Sequence, residues 1–429
     1  MSIPAYPAYR DSGVAWLEQV PAHWEVMPLK RAACLCTDRA ADRSFPVGLE
    51  HIESWTGRLI EAETEFEGDG VAFRPGDILF GKLRPYLAKA WLADRPGEAV
   101  GDFHVIRPLP PHMPAFLQRV LLSPEAISLI DGSTYGSKMP RASWEFIGSL
   151  AVPIPPPAEQ RAIAAFLDRE CGKIDALVAE QERLIALLKE KRQAVISHAV
   201  TKGLDPTAPM KDSGVAWLGQ VPAHWEVRRL GTLFVEAADE GEHDLPVLSV
   251  SIHDGVSDRE LPDEELERKV TRSDNRSKYK KVQPGDLVYN MMRAWQGGFG
   301  TVAVPGMVSP AYVVARPKTS TRTAFVELLL RTPCAVEEMR RHSRGVTDFR
   351  LRLYWEEFKD IKVVLPPLEE QNTILGFIEA ETKKLDTLTT EAERAIALLK
   401  ERRAALISAA VTGRIDVRGL APAEEAKAA

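Results

Sequence analysis

The sixteen residues DSGVAWLEQVPAHWEV at positions 11–26 return at 212–227 with one change, Glu18 against Gly219. A second pair, IALLKEKRQAVISHAVTKGLD from Ile185 and IALLKERRAALISAAVTGRID from Ile396, shows the same chain written twice. The first pair is offset by 201 (11 to 212) and the second by 211 (185 to 396), so the second copy gains ten residues between these landmarks. Between them the copies diverge. Scattered matches remain, such as Pro75-Gly76-Asp77 against Pro284-Gly285-Asp286, and Arg84 against Arg293. A repeated frame around a variable body suits a protein that holds two different readers in fixed mutual geometry.

At 429 residues the chain is long enough for two or more domains, each with its own core. Its 45% hydrophobic and 27% charged residues are those of an ordinary soluble protein. No apolar run approaches the ~18–20 residues of a membrane span, and MSIPAYPAYRDSG lacks the charged-then-apolar order of a signal peptide, so the expected location is the cytoplasm. Four cysteines make no disulfide framework here, and Cys34-x-Cys36 has no second ligand pair at zinc-finger spacing. A net charge of −6 argues against indiscriminate coating of nucleic acid, which rests on neutralising phosphates. Charge is nevertheless segregated. RKVTRSDNRSKYKKV from Arg268 carries seven Lys or Arg against one Asp, and EMRRHSRGVTDFRLR from Glu338 carries five Arg against two acids.

Each copy divides into a body and a helix, with Pro-rich hinges at PIPPPAEQ from Pro153 and LPPLEEQ from Leu365. Beyond each hinge apolar residues recur at alternating steps of four and three. They are Ile163, Leu167, Ile174, Leu177, Leu184, Leu188 and Val195 in the first copy, and Ile374, Ile378, Leu385, Leu388, Leu399 and Leu406 in the second. This is a heptad seam, interrupted at Glu170 and Glu381 and at Lys191 and Arg402, with Gln181 expected to face Ala392. A helix from about 158 to 199 would be roughly 60 Å long, too long for a small body to cover, and needs a partner helix. The other copy supplies one, antiparallel if the bodies point apart; the alternative is that the seam mediates homodimerisation. The bodies read as mixed α/β. DILFGKL, FHVIRPL, DLVYNMM and AYVVARP are β-rich, and AFLQRVLLSPEAISLI and AFVELLLRTPCAVEEMRR are helical.

Catalytic signatures are weak. Pro262-Asp263 with Glu267-Arg268-Lys269 has the letters of a metal-dependent nuclease, but its acids lie too close in sequence to come from neighbouring strands. GGFGT from Gly297 reads as a turn, since the chain has no Asn- or Asp-Pro-Pro-aromatic motif of an amino-methyltransferase and no GxxxxGK[ST] phosphate loop. His23 and His224 sit inside the repeat and read as frame residues. What remains is a set of polar and aromatic loops suited to DNA. In the first body they offer Lys82, Arg84, Tyr86, Tyr135, Lys138 and Arg141. In the second they offer Asn290, Arg293, Gln296, Arg344, Arg350 and Arg352, with Lys278, Lys280 and Lys281 as phosphate contacts. The matched positions of Arg84 and Arg293 favour a shared structural or backbone role.

Taken jointly, DSGVAWLxQVPAHWEV, PGDILFGKLRPYLAKAW, PGDLVYNMMRAWQGGFG, VSPAYVVARP and the PPxxEQ start of a long helix ending in LLKExR resemble the specificity subunit of type I restriction-modification systems. The resemblance covers nearly the whole chain up to about Val417. It implies an α/β (α+β) fold with a pseudo-twofold internal repeat, in which two globular target recognition domains are joined by two long helices packed as an antiparallel coiled coil. On that reading residues 1–157 and 201–368 are the recognition domains, 158–200 and 369–411 the spacer helices, and 412–429 a disordered tail. The implied partners are double-stranded DNA, two modification (methyltransferase) subunits and two restriction (translocase/nuclease) subunits. S-adenosylmethionine, ATP and Mg2+ would reside on those subunits, and this chain would contribute no catalytic residue and bind no metal. The rival expectations are a single-chain restriction or modification enzyme and a coiled-coil scaffold unrelated to DNA.

Overall fold

The computed structural model describes residues 4–40, 45–62, 70–136, 138–242, 244–252, 255–262, 278–345 and 350–420. Its contacts divide the chain into two compact units, one formed by residues 1–182 with 393–429 and the other by residues 183–392. Helix and sheet are mixed in both. The candidate nuclease acids from Asp263 onward lie outside the described residues, as does most of the basic stretch before Lys278.

In the first unit the repeated frame forms a hairpin, with Tyr9–Asp11 antiparallel to Gln19–Pro21. The next strand, Glu25–Pro28, pairs with Ala151–Ile154 just ahead of the Pro-rich hinge. There the first long helix, Pro157–Lys202, begins. Its opening Glu-Gln pair is anchored. Glu159 accepts from Trp24 Nε1 at 3.1 Å and lies 2.9 Å from His23 Nε2, while Tyr6 also donates to it. Gln160 donates to the Pro155 carbonyl and accepts from the Met113 N–H, both at 2.8 Å. A buried carboxylate needs such donors, which accounts for the retention of Trp, His and Glu-Gln in both copies.

The body is a four-stranded antiparallel sheet in the order Ala33–Cys36, Phe103–Pro108, Ile78–Gly81, Ala90–Leu92. All four residues of Ile78–Gly81 are buried, and they alternate between two cores as a period of two requires. Ile78 and Phe80 join Trp24, Leu29, Phe116 and Leu117 on the helical face, whereas Leu79 joins Phe73, Trp91 and Val105 on the other. The helical patch from Ala115 is two helices, Pro114–Leu121 and Pro124–Gly132, because Ser123 caps the second one and Pro124 fits only its first turn. The Pro-Gly-Asp turn is fixed from below. Asp77 is 1% exposed and accepts from Arg107 Nε and Nη2 at 2.8 and 2.7 Å and from the Arg74 N–H at 3.0 Å. Gly76 takes φ of +89°, a conformation that favours glycine.

The second unit repeats this plan. Met210–Asp212 pairs with Gln220–Pro222, and Glu226–Arg229 pairs with Lys362–Leu365. Glu370 accepts from Trp225 Nε1 at 3.0 Å and lies 2.7 Å from His224 Nε2. The sheet order is Phe234–Ala237, Tyr312–Pro317, Leu287–Asn290, Phe299–Thr301. Asp286 accepts from Arg316 Nε and Nη2, each at 3.1 Å. The helices Thr323–Leu330 and Pro333–His342 are again divided, here by the capping Thr332.

The second long helix spans Leu368–Val411. In the first unit its residues Ile407, Ala410 and Val411 share a core with Ile163, Phe166, Leu167 and Cys171, and Arg403 meets Asp175 at 2.9 Å. In the second unit Ile374 and Ile378 share a core with Ile196, Ala199 and Val200, and Arg192 lies 3.3 Å from Asp386. Within each unit the two helical segments therefore run in opposite directions. Neither helix meets the length and apolarity of a membrane span.

Two expectations are corrected. Ile163, Leu167, Ile174, Leu188, Ile374, Ile378 and Leu385 are buried, and Val195, Leu399 and Leu406 are half-buried. Leu177, Leu184 and Leu388, however, are 52%, 41% and 47% exposed. The inward phase instead runs Cys171, Ile174, Val178, Gln181, Ile185, Leu188 in the first helix. Adjacent apolar pairs, Leu177-Val178 and Leu184-Ile185, satisfy a step of either three or four, and burial of Cys171 selects the second residue of each. In the second helix Thr382 and Thr389 face inward, their hydroxyls donating to the Ile378 and Leu385 carbonyls at 2.8 and 2.9 Å, so a polar residue occupies the seam without an unmet donor.

The second correction concerns the tail, of which residues 412–420 are ordered. Gly413, at φ +75°, ends the second long helix. The Asp416 N–H then donates to the Pro4 carbonyl at 2.7 Å, and Val417 is buried in the first unit's core. Arg418 pairs with Asp416 and lies over the Tyr6 ring, 4.9 Å from its centroid. Residues 421–429 lie outside the described part.

Candidate nucleic-acid interface

Each body brings two loops together at one end of its central strands. In the first, the loop after Ile78–Gly81 is stitched to the loop between two capped helices, Pro124–Gly132 and Trp144–Ser149. The Arg84 N–H donates to the Pro140 carbonyl at 2.8 Å and the Ala142 N–H to the Lys82 carbonyl at 2.9 Å. Tyr135 and Arg141 exchange backbone hydrogen bonds of 3.2 and 3.1 Å. From this base Arg84, Tyr86, Tyr135, Lys138 and Met139 are exposed. Lys82 and Arg141 are half-buried around Asp102. Arg141 donates to the two Asp102 oxygens from Nε at 3.1 Å and Nη2 at 2.9 Å, and Lys82 Nζ lies 3.8 Å from the same carboxylate. The Asp102 hydrogen bond holds the Arg141 guanidinium above its ordinary pKa. Behind them His104 accepts burial by staying neutral: desolvation lowers its pKa, and Nε2 bonds the Ala142 carbonyl at 3.0 Å.

The second body makes the equivalent stitch. The Leu353 N–H donates to the Met291 carbonyl at 2.9 Å, and Arg344 and Arg352 exchange two backbone bonds of 2.9 Å. Gln296, Arg344, Arg350 and Arg352 are exposed at this end, and Lys278 is exposed nearby in sequence to Lys280–Val282. Arg344 forms an ion pair with Glu357. The guanidinium of Arg340 lies over Trp295, 5.9 Å from its centroid.

Several predicted contacts have partners within the body. Asn290 is buried, and its side-chain oxygen accepts from the Met292 N–H at 3.0 Å, so it shapes the turn. Lys280 Nζ donates to the Tyr312 carbonyl at 2.8 Å, and Lys281 pairs with Glu242. Of these three only Asn290 is withdrawn from the surface by burial; Lys280 and Lys281 are half-buried and use one ammonium donor each, to a carbonyl and a carboxylate. Arg84 and Arg293, although matched in sequence, differ in conformation. Arg84 is exposed at φ +51°, and Arg293 is half-buried at φ −128°.

Sequence reasoning missed Asp102. Its only signal was an acid after the turn glycine Gly101, at a place where the second copy has Ala311. Among the described residues, no group of three or more His, Cys, Asp or Glu could hold a metal ion. The Cys36 thiol is pushed up to about 11 by burial, which removes it from nucleophilic chemistry near neutrality.

The fold, two bodies on a duplicated helical frame, is similar to that of a chain solved from a type I restriction-modification system. The chain superposes on one solved in work on the assembly and conformational transition of such a system, with a TM-score of 0.66, 18% identity, and 91% and 98% of the two chains covered. On the HsdS subunit from Thermoanaerobacter tengcongensis the TM-score is 0.50, again at 18% identity, covering 92% and 98%. No family model matches the chain.

Curated proteins similar in sequence are type I restriction enzyme specificity subunits of Escherichia coli. Identity is 24% over 314 residues with the EcoBI subunit, covering 69% of this chain and 65% of that one. It is 24% over 310 residues with the EcoKI subunit of strain K12, covering 68% and 62%. With the EcoDI subunit it is 25% over 193 residues, 43% of each. The chain thus spans less than two thirds of the length of these relatives, between 43% and 65%.

Proposed function

We propose that this chain is the DNA-specificity subunit of a type I restriction-modification complex. Each body is a target recognition domain reading one half of a bipartite, asymmetric site in double-stranded DNA. The long helices pack as an antiparallel coiled coil that sets the gap between half-sites and carries two methyltransferase subunits, with two restriction subunits completing the assembly in the cytoplasm. Adenine methylation with S-adenosylmethionine, and ATP- and Mg2+-dependent translocation and cleavage, belong to those partners. The chain itself is non-catalytic.

The observation that carries this reading is a repeated stitch with unrepeated contents. The same backbone bonds join Lys82 to Ala142 and Met291 to Leu353. The side chains lifted from that base are Arg84, Tyr86, Tyr135 and Lys138 in one body, and Gln296, Arg344, Arg350 and Arg352 in the other. A scaffold kept constant under loops of different chemistry is what two different base sequences call for. The opposed helix directions in each unit support the coiled-coil platform.

The test is exchange of residues 228–365 for those of a relative with a different specificity, expressed with the modification subunit. Methylome sequencing should show one half-site changed and the other retained. A change in both halves, or in neither, refutes the two-reader scheme. Methylation by the isolated chain with S-adenosylmethionine would refute the non-catalytic role.

A further inference from the structure

In the first body the Asp102–Arg141 pair is built differently from an ordinary loop staple. Asp102 occupies the side edge of the guanidinium, taking Nε–H and one Nη2–H. The end edge, with Nη1–H and the second Nη2–H pointing the same way, has no hydrogen-bond partner among the described residues. Arg141 is 39% exposed, and Asp102, at 22%, lies behind it. Two backbone bonds to Tyr135 and the Ala142 bond to Lys82 fix the main chain on which this side chain stands. The result is a parallel pair of donors, already ordered, at the rim of the loops.

Among the described residues the second body has no such device at the equivalent place. Arg352 corresponds to Arg141, since each exchanges backbone bonds with the far side of its loop, but Ala311 stands where Asp102 does, just before the strand Tyr312–Pro317. Arg344 there meets Glu357 through Nη2 and is 74% exposed. A repeated frame residue would have been kept in both copies, as Asp77 and Asp286 are. Asp102 therefore belongs to the variable content of the first body and not to the repeated frame.

Resting on the proposed DNA-reading role, we infer that Arg141 reads a guanine in the half-site of the first body, with Asp102 as its positioning residue. Guanine alone presents two acceptors, N7 and O6, side by side on the major-groove edge, matching the free end of the guanidinium. Holding the side chain beforehand reduces the ordering cost of binding. Lys82, sharing Asp102, keeps the cluster cationic.

Selection from a randomised duplex library by the full chain with its modification subunit tests this. For Arg141→Gln, one position of one half-site should lose its guanine preference by roughly 10- to 100-fold while all other positions keep theirs. Arg141→Lys retains a cation beside Asp102 but not the fork, and should lose the same preference. Asp102→Asn should weaken it by a smaller factor. Replacing each guanine of that half-site in turn with 7-deazaguanine should weaken the wild-type complex at one position and leave Arg141→Gln unaffected there. A preference that survives in both Arg141 variants, or a uniform loss across all sequences, overturns the inference and leaves a loop or phosphate role. If the Arg141 variants fail to fold, the 7-deazaguanine series on the wild-type complex decides: no sensitive position overturns it. A wild-type complex without any sequence preference overturns the proposed function and this inference together.

Discussion

Replacing Asp77 with alanine should destabilise the first unit by about 3 kcal/mol. The carboxylate is 1% exposed and accepts from Arg107 at 2.8 and 2.7 Å and from the Arg74 N–H at 3.0 Å. Removing it leaves a guanidinium and an amide N–H without their acceptor. Breaking a buried ion pair costs about 3–5 kcal/mol, and the lower end applies because Arg107 is 23% exposed and can recover some hydration. In a unit of about 200 residues each kcal/mol moves the melting temperature by about 2–4 °C, so a fall of about 6–12 °C is expected by calorimetry. Asp286→Ala should cost the second unit less, because Arg316 keeps Asp239 as an acceptor, and the two losses should add because they share no partner. The double change Asp77→Leu with Arg107→Met should recover part of the first loss, since it removes the unpaired guanidinium while the Arg74 N–H still lacks its acceptor. A loss below about 1 kcal/mol for Asp77→Ala, or a double variant no better than the single one, would refute this account of the turn.

Three shorter predictions follow from burial. Ile174→Ala should cost about 2–4 kcal/mol in denaturant unfolding of the free chain, and Leu177→Ala less than about 1, whereas equal losses would restore the seam through Leu177. At pH 8 a disulfide reagent should modify exposed Cys334 rapidly and leave buried Cys36 and Cys171 unmodified until unfolding, with rapid loss of all thiols as the contrary result. His104 has a folded pKa lowered below its ordinary 6.5, so the unfolded chain binds its proton first; its contribution is present above about pH 6.5 and is lost as pH falls through the folded value. Thermal melts from pH 7.5 to 5 should fall less steeply for His104→Gln than for wild type, and parallel curves would show that another group sets the slope.

The parts of this fold legible in the sequence are those in which two copies solve the same physical problem. Trp24, His23 and Glu159, with Trp225, His224 and Glu370, recur because a carboxylate at the start of each long helix must be bonded. The turns at Gly76 and Gly285 recur because both require a left-handed φ. The phase of the seam was not legible, because Leu177-Val178 and Leu184-Ile185 fit two helical faces equally and only packing around Cys171 separates them. The ordered end from Gly413 to Leu420 was hidden for a related reason. Its small, charged composition resembles a disordered tail, and what orders it is Pro4 and Tyr6, more than 400 residues away along the chain.

The candidate contacts divide along the same line. Residue type placed Asn290, Lys280 and Lys281 among the DNA contacts, yet each satisfies a carbonyl, an amide or a carboxylate of its own body. Arg84, Tyr86, Lys138 and Arg352 stand exposed on stitched loops. Polar side chains become available to a ligand when the backbone that carries them has already met its own hydrogen bonds, as it has between Tyr135 and Arg141 and between Arg344 and Arg352. A body organised in this way can exchange loop side chains without disturbing its sheet, because the bonds that hold the loops are made by main chain. In the Asp102–Arg141 pair a loop side chain is itself fixed, by an acid that the second body replaces with Ala311. The two bodies thus differ in side chains added to a common backbone stitch, while the Asp77–Arg107 and Asp286–Arg316 pairs recur at the opposite end of the same strands.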